Sequence, residues 1–252
     1  MALRRKKPLN LKDHISVIRQ WAKKNEKRQN FSKLPSRLKK AFNFILKHCS
    51  QLKIQFKQFY RLRHDAKGRS ENEFDSRPEP KRGEYERFDH QNFLVGYYSD
   101  SPEICIEETK EKISDKAKQC LIGFCELNPD YELKLAHLHA EAVDGKSVMS
   151  DPDYPIIQDF FMDIFKKSVN EDEWVGSICR ALAKHLSDKS YNGINYPSRK
   201  ELENGALECN FAIFGSPIKE KRFIFRGFHR VLKNVDGCLE PGPLEGGTTI
   251  NG

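Results

Sequence analysis

The sequence lacks a CxxC pair, and it lacks any apolar run long enough to cross a membrane. It is also short of acids in its first quarter. Each shortage excludes something. Seven cysteines, at positions 49, 105, 120, 125, 179, 209 and 238, are odd in number and scattered, mostly in apolar runs such as SICRALA and LIGFCEL. That pattern argues against a disulfide framework and for reduced, buried thiols in a cytoplasmic protein. His137 and His139 with Cys120 and Cys125 match no common zinc spacing, so no metal is expected. No window approaches the ~18 apolar residues of a transmembrane helix. The opening MALRRKKPLN is basic with no apolar run behind it, so it does not read as a secretory signal.

The shortage of acids is local. Residues 1–69 carry 21 Lys+Arg against 3 Asp+Glu, whereas residues 70–252 carry 23 against 33. The two parts therefore present different surfaces. Hydrophobic residues make up only 38% of the chain, yet aromatics reach 11% and supply bulky core material, so a folded protein is expected. The length suits one large domain or a core domain with an appendage. There is no internal repeat.

Leu11, Ile15, Ile18 and Ala22 fall at helical spacing among Lys, Arg, Asn and Gln. Leu38, Phe42, Ile45 and Cys49 do the same over 36–49. Together they predict a basic helical hairpin with one apolar side, occupying residues 1–50 as an N-terminal extension. The period then changes to two. In QLKIQFKQFYRLR, Leu52, Ile54 and Phe56 alternate with Lys and Gln, which predicts one strand and a domain boundary near residue 50. Residues 64–83 read as a long polar loop. Residues 93–98 predict a buried strand, and Ser101-Pro102 predicts a helix start. Ile104, Cys105 and Glu108 share one face of that helix, so a carboxylate stands on its apolar side and needs compensation. Further strands are expected in QCLIGFCEL, YELKLAHL, YNGINYPS, LECNFAIFG and KRFIFRGFHRVL. Helices are expected in DYPIIQDFFMDIFKK and EDEWVGSICRALAKHL. NGALE at 204–208 reads as a turn. A core domain over 51–238 and a disordered tail over 239–252 complete the expected organisation.

Three stretches resemble the RES-domain family, bacterial toxins with an Arg, a Glu and a Ser in their site. ERFD contains Arg87. VGYYSDSPEICIEE contains Tyr97, ten residues after Arg87, and Glu108, eleven after Tyr97. GINYPS ends on Ser198 and is followed by NFAIF, a strand from Asn210 to Phe214. Tyr60-Arg61 resembles the family's opening strand. The resemblance covers roughly residues 56–230. It departs at YERFD, where a Gly pair is missing and Asp89 replaces the usual Asn. Glu107 competes with Glu108, but spacing and helical phase favour Glu108.

The resemblance implies an α+β fold: an ADP-ribosyltransferase-like split mixed β-sheet with flanking helices, preceded by the basic helices. It implies a toxin-like enzyme that consumes NAD+ as substrate, needs no cofactor, and breaks the nicotinamide–ribose bond as a glycohydrolase or phosphorylase. Phosphate would be a possible co-substrate, and a cognate antitoxin protein the expected partner. The residue types suit such chemistry. Nicotinamide leaves as a neutral base, so the barrier is charge developing on the ribose. A carboxylate beside that ring stabilises it, the role expected of Glu108. Arg87, with Arg61 second, supplies a donor fork for pyrophosphate. Tyr97 stacks on nicotinamide. Ser198 donates to a phosphate or orients the ribose, and is not read as a covalent nucleophile. Two alternatives stand beside this. One is ADP-ribosyl transfer to a protein or nucleic acid. The other is a non-catalytic protein that binds nucleic acid, or an anionic surface, through residues 1–69.

Overall fold

The computed structural model describes residues 10–26, 32–49, 51–54, 57–64, 66–68, 70–76, 87–90, 93–109, 120–138, 153–167, 172–198 and 209–246. Five helices and nine strands lie within them, so the fold is mixed α+β. The helices are α1 (Leu11–Lys24), α2 (Ser36–Leu46), α3 (Pro102–Thr109), α4 (Tyr154–Lys166) and α5 (Glu173–Ser187). The strands are β1 (Gln51–Ile54), β2 (Gln58–Arg63), β3 (Val95–Ser99), β4 (Leu121–Leu127), β5 (Leu133–His137), β6 (Gly193–Pro197), β7 (Cys209–Phe214), β8 (Phe223–Lys233) and β9 (Leu239–Glu245). They form one sheet in the order β1-β5-β6-β7-β3-β2-β4-β8-β9. Only β5 and β6 run parallel, and α4 and α5 lie in the crossover between them.

Local chemistry sets the element ends. Asn10 and Asp13 form a reciprocal capping box at the start of α1, each accepting a backbone N–H at 3.0 Å. Ser101 Oγ accepts from the Ile104 N–H at 3.2 Å, so α3 begins at Pro102 as its sequence requires. Gly193 opens β6 because nothing larger fits. A Cβ there would stand 2.3 Å from the Ala212 carbonyl oxygen of the neighbouring strand.

One sheet face carries two helical layers. Over β6 and β7, the helices α1, α2, α4 and α5 share a single apolar core that includes Ile18, Leu38, Phe42, Phe161, Ile178, Leu182, Ile194 and Ala212. Over β2 and β4, α3 buries Cys105 and Ile106 against Ile122 and Val231. The opposite face packs Tyr98, Phe211 and Phe223 around the ring of Phe59, with Phe74 stacked on Phe228.

Four expectations are corrected. Residue 50 is not a boundary of the core, because the apolar faces of α1 and α2 complete the same core as α5. Polar ties reinforce this: Ser177 Oγ donates to the Asn25 carbonyl at 2.8 Å, and His185 Nε2 meets Asn43 Oδ1 at 2.9 Å. The single strand expected over 51–63 is two. β1 pairs with β5 at one edge, and β2 pairs with β4 several strands away. Alternation alone cannot show that the chain changes partners between them. The polar stretch after His64 contains a 3-10 turn, Glu71–Phe74, whose last residue is fully buried. Burying such a ring contributes about 1.5–3 kcal/mol, which outweighs the polar composition around it. Finally, residues 239–245 are ordered as β9 on the outer side of β8. Pro241 and Pro243 suit an edge strand, where missing N–H donors cost nothing. NGALE and His139 lie outside the described residues.

Candidate active site

The sheet is weakest between β2 and β3. Their ladder contains one residue pair, Tyr60 opposite Ser99. Next to it, Arg61 Nη1 donates to the Tyr97 carbonyl at 3.3 Å, so a side chain takes over where the strands diverge. A cavity of about 540 Å3 opens there. Its lining comes from β2 and the residue after it (Arg61, Leu62, Arg63, His64), from β3 (Tyr97, Tyr98, Ser99) and from α3 (Cys105, Glu108, Thr109). Tyr196 of β6 and Asn210 of β7 close it. Tyr60, Ser99, Asn210 and Tyr196 stand in one lateral row across β2, β3, β7 and β6, which is how four distant segments reach one place.

Glu108 is the hub. Its Oε1 accepts from Ser198 Oγ at 2.6 Å and from Asn210 Nδ2 at 2.9 Å. Asn210 is itself held, since Ser99 Oγ donates to its Oδ1 at 2.6 Å. Two donors on one oxygen fix the plane of the carboxylate, and a third group fixes one of the donors. Glu107 is not among the residues lining the cavity, so the helical phase selects Glu108.

Arg61 is 4% exposed and stacks over the Tyr98 ring, with its Cζ 5.3 Å from the centroid. Its Nε has no hydrogen-bond partner among the described residues. A buried guanidinium in a cavity wall is suited to receive an anion. Arg63 and His64 add basic groups to the same wall. Cys105 also lines the cavity, but burial pushes its thiol up to about 12, so it is not a thiolate nucleophile at neutral pH.

The sequence-predicted residues are only partly brought together. Glu108, Tyr97 and Arg61 line the cavity. Ser198 is 5% exposed, donates to Glu108 and is not among the residues lining the cavity, so it orients the carboxylate. Arg87 is elsewhere. Its guanidinium donates to the carbonyls of Ile164 at 2.8 Å, Phe165 at 3.1 Å and Lys167 at 2.9 Å. It thereby satisfies the unpaired carbonyls at the end of α4. The expected pyrophosphate fork is thus absent at Arg87, because all three of these bonds face the helix end. The stretch around it still serves the site. The Tyr97 hydroxyl donates to Asp89 Oδ1 at 3.1 Å and accepts from the Phe88 N–H at 2.8 Å, which leaves the ring to face the cavity. Asn210 was missed as a site residue. Its signal was an amide opening an otherwise apolar strand, ECNFAIF.

Among the described residues, no cluster of His, Cys, Asp or Glu could hold a metal ion. None of the helices there is long and apolar enough to cross a membrane. Comparison with protein-family models, curated proteins and solved structures returns no match for this chain.

Proposed function

We propose that this chain binds NAD+ in the cavity between β2 and β3 and cleaves the bond between nicotinamide and ribose. The observation that carries the reading is the Glu108 carboxylate at the cavity wall, held by Ser198 and Asn210 through one oxygen. Opening of the sheet at a single-pair ladder agrees with the split sheet of an ADP-ribosyltransferase-like fold. The cavity volume also lies in the range of small-molecule sites, about 300–1,000 Å3.

The chemistry follows from the groups present. The C–N bond electrons leave with nicotinamide, which becomes neutral, so no acid is needed to expel it. Positive charge grows on the ribose carbon and ring oxygen. Glu108 stabilises that charge, and because it is already oriented it needs no reorganisation during the reaction. Arg61, with Arg63 beside it, takes the pyrophosphate in place of Arg87. The Tyr97 ring offers a flat face to nicotinamide. Water or phosphate then attacks the ribose carbon and releases a proton.

The test is chromatography of nicotinamide released from NAD+ by the purified chain, with and without phosphate. Release by the wild type that is lost in Glu108→Gln is the expected result. No release under either condition overturns the proposal. ADP-ribose recovered on a protein or nucleic acid, with none free, would assign the acceptor to a macromolecule.

A further inference from the structure

The two N-terminal helices present an unneutralised cationic surface. Lys12, Lys23 and Lys24 are exposed on or beside one stripe of α1, and Arg37, Lys40 and Lys47 are exposed on and just after α2. Lys12, Arg19 and Lys23 recur at seven and four residues, and Lys40 and Lys47 at seven, so each set shares a helix face. The two helices contain a single acid, Asp13, which is spent in the α1 capping box. Arg19 pairs with Asp163 of α4, but none of the six named cations makes an ion pair among the described residues. Like charges gathered this way repel one another and concentrate counterions.

Three kinds of partner could neutralise such a face, and the packing separates them. A lipid surface is taken up by an amphipathic helix through its apolar side. Here that side is committed, since Leu11, Ile15, Ile18, Leu38, Phe42 and Ile45 are buried in the protein core. An acidic protein would ordinarily dock on a patch with an apolar or aromatic centre. The exposed large apolar residues, Tyr131, Leu232, Val235 and Leu244, are all outside α1 and α2. A phosphodiester backbone needs neither feature. It requires spaced Lys and Arg at exposed positions, and the energy comes from releasing its condensed counterions.

We propose that the exposed face of α1 and α2 is a nucleic-acid-binding surface that reads the phosphate backbone without regard to sequence. It does not depend on the cavity. The helices join the core by their buried sides and contribute no residue to the cavity lining, so this binding would hold the chain on a polyanion without using the cavity.

The test is fluorescence-anisotropy titration of the full chain against labelled mixed-sequence duplex DNA, duplex RNA and single strands over a range of KCl. If about four phosphates are neutralised, affinity should fall roughly a hundredfold between about 50 and 200 mM salt. Charge reversal at Lys12, Lys23, Lys40 and Lys47 should abolish binding at the lower salt and leave nicotinamide release unchanged. A control with Lys219, Lys221 and Lys233 reversed should bind as the wild type does, because these exposed lysines lie outside the two helices. No binding at low salt overturns the proposal. So does equal loss in the control, which would report net charge instead of a surface. Tighter binding to phosphatidylserine vesicles or to polyglutamate than to nucleic acid overturns it in favour of those partners. Every binding titration is made without NAD+, so failure here is separable from failure of the proposed reaction.

Discussion

Ser198 Oγ donates to Glu108 Oε1 at 2.6 Å, although the two residues are 90 positions apart in the chain. Asn210 donates to the same oxygen at 2.9 Å. The two donors therefore act on one carboxylate orientation, and removing either releases that orientation. Ser198→Ala and Asn210→Ala should each lower kcat roughly ten- to hundredfold, with less effect on KM, because Glu108 is misplaced and not removed. The double variant should lose much less than the product of the two, a coupling of about 0.5–3 kcal/mol. Steady-state kinetics of the four proteins in the cycle decide it. Independent, multiplicative losses would mean that the two side chains do separate jobs.

Glu108→Gln keeps an oxygen acceptor for Ser198 and Asn210 but removes the charge. Its thermal midpoint should stay close to that of the wild type, while kcat falls by about 10²–10³ or more. Comparable activity in this variant would exclude an electrostatic role for the carboxylate.

Arg87 and Arg61 should separate cleanly. Arg87→Ala leaves the Ile164, Phe165 and Lys167 carbonyls without their shared donor in a buried place. It should cost ~3 kcal/mol or more of folding stability. Arg87→Lys should recover little, since one ammonium cannot reproduce a fork spread over three acceptors. Arg61→Lys should instead raise KM for NAD+ roughly ten- to hundredfold. Urea unfolding beside kinetics on the same preparations distinguishes the two outcomes.

His185 of α5 faces Asn43 of α2 and is 3% exposed, with burial and the charges of Lys189 and Lys39 holding its imidazole down to about 4 from 6.5. As pH falls, the unfolded chain takes up this proton before the folded chain does. The stability contributed by the neutral ring is therefore complete above about pH 6.5 and is lost progressively towards pH 4. The wild type should show a lower urea midpoint at pH 5 than at pH 7. His185→Gln, which cannot titrate, should narrow that gap. An unchanged gap would locate the acid sensitivity in another group.

Gly193→Ala should be severely destabilising for a one-carbon change, because the new Cβ meets the Ala212 backbone oxygen at 2.3 Å and that atom cannot move without opening the β6–β7 pairing. A loss of solubility or of a cooperative thermal transition is expected. Glu107→Ala, at a position outside the cavity lining, is the matching control and should fold normally.

Much of this molecule is written locally. Periodicity and the Ser101-Pro102 start determine helices, and the short apolar runs LIGFCEL and NFAIF determine strands, because these signals depend only on neighbours within a turn or a pleat. Spacing and helical phase together separate Glu108 from Glu107. Tertiary structure decided the rest. Whether Arg87 meets a ligand or a helix end depends on where α4 stops, some 80 residues later. Whether Asn210 is a strand residue or a site residue depends on strand order, which places β7 between β6 and β3 and so brings Ser198, Ser99 and Glu108 within reach. Whether α1 and α2 form a separate extension depends on which core receives their apolar faces. Local patterns specify what an element is and which face is apolar. They carry no information about which other element that face will meet, and the site is built from such meetings.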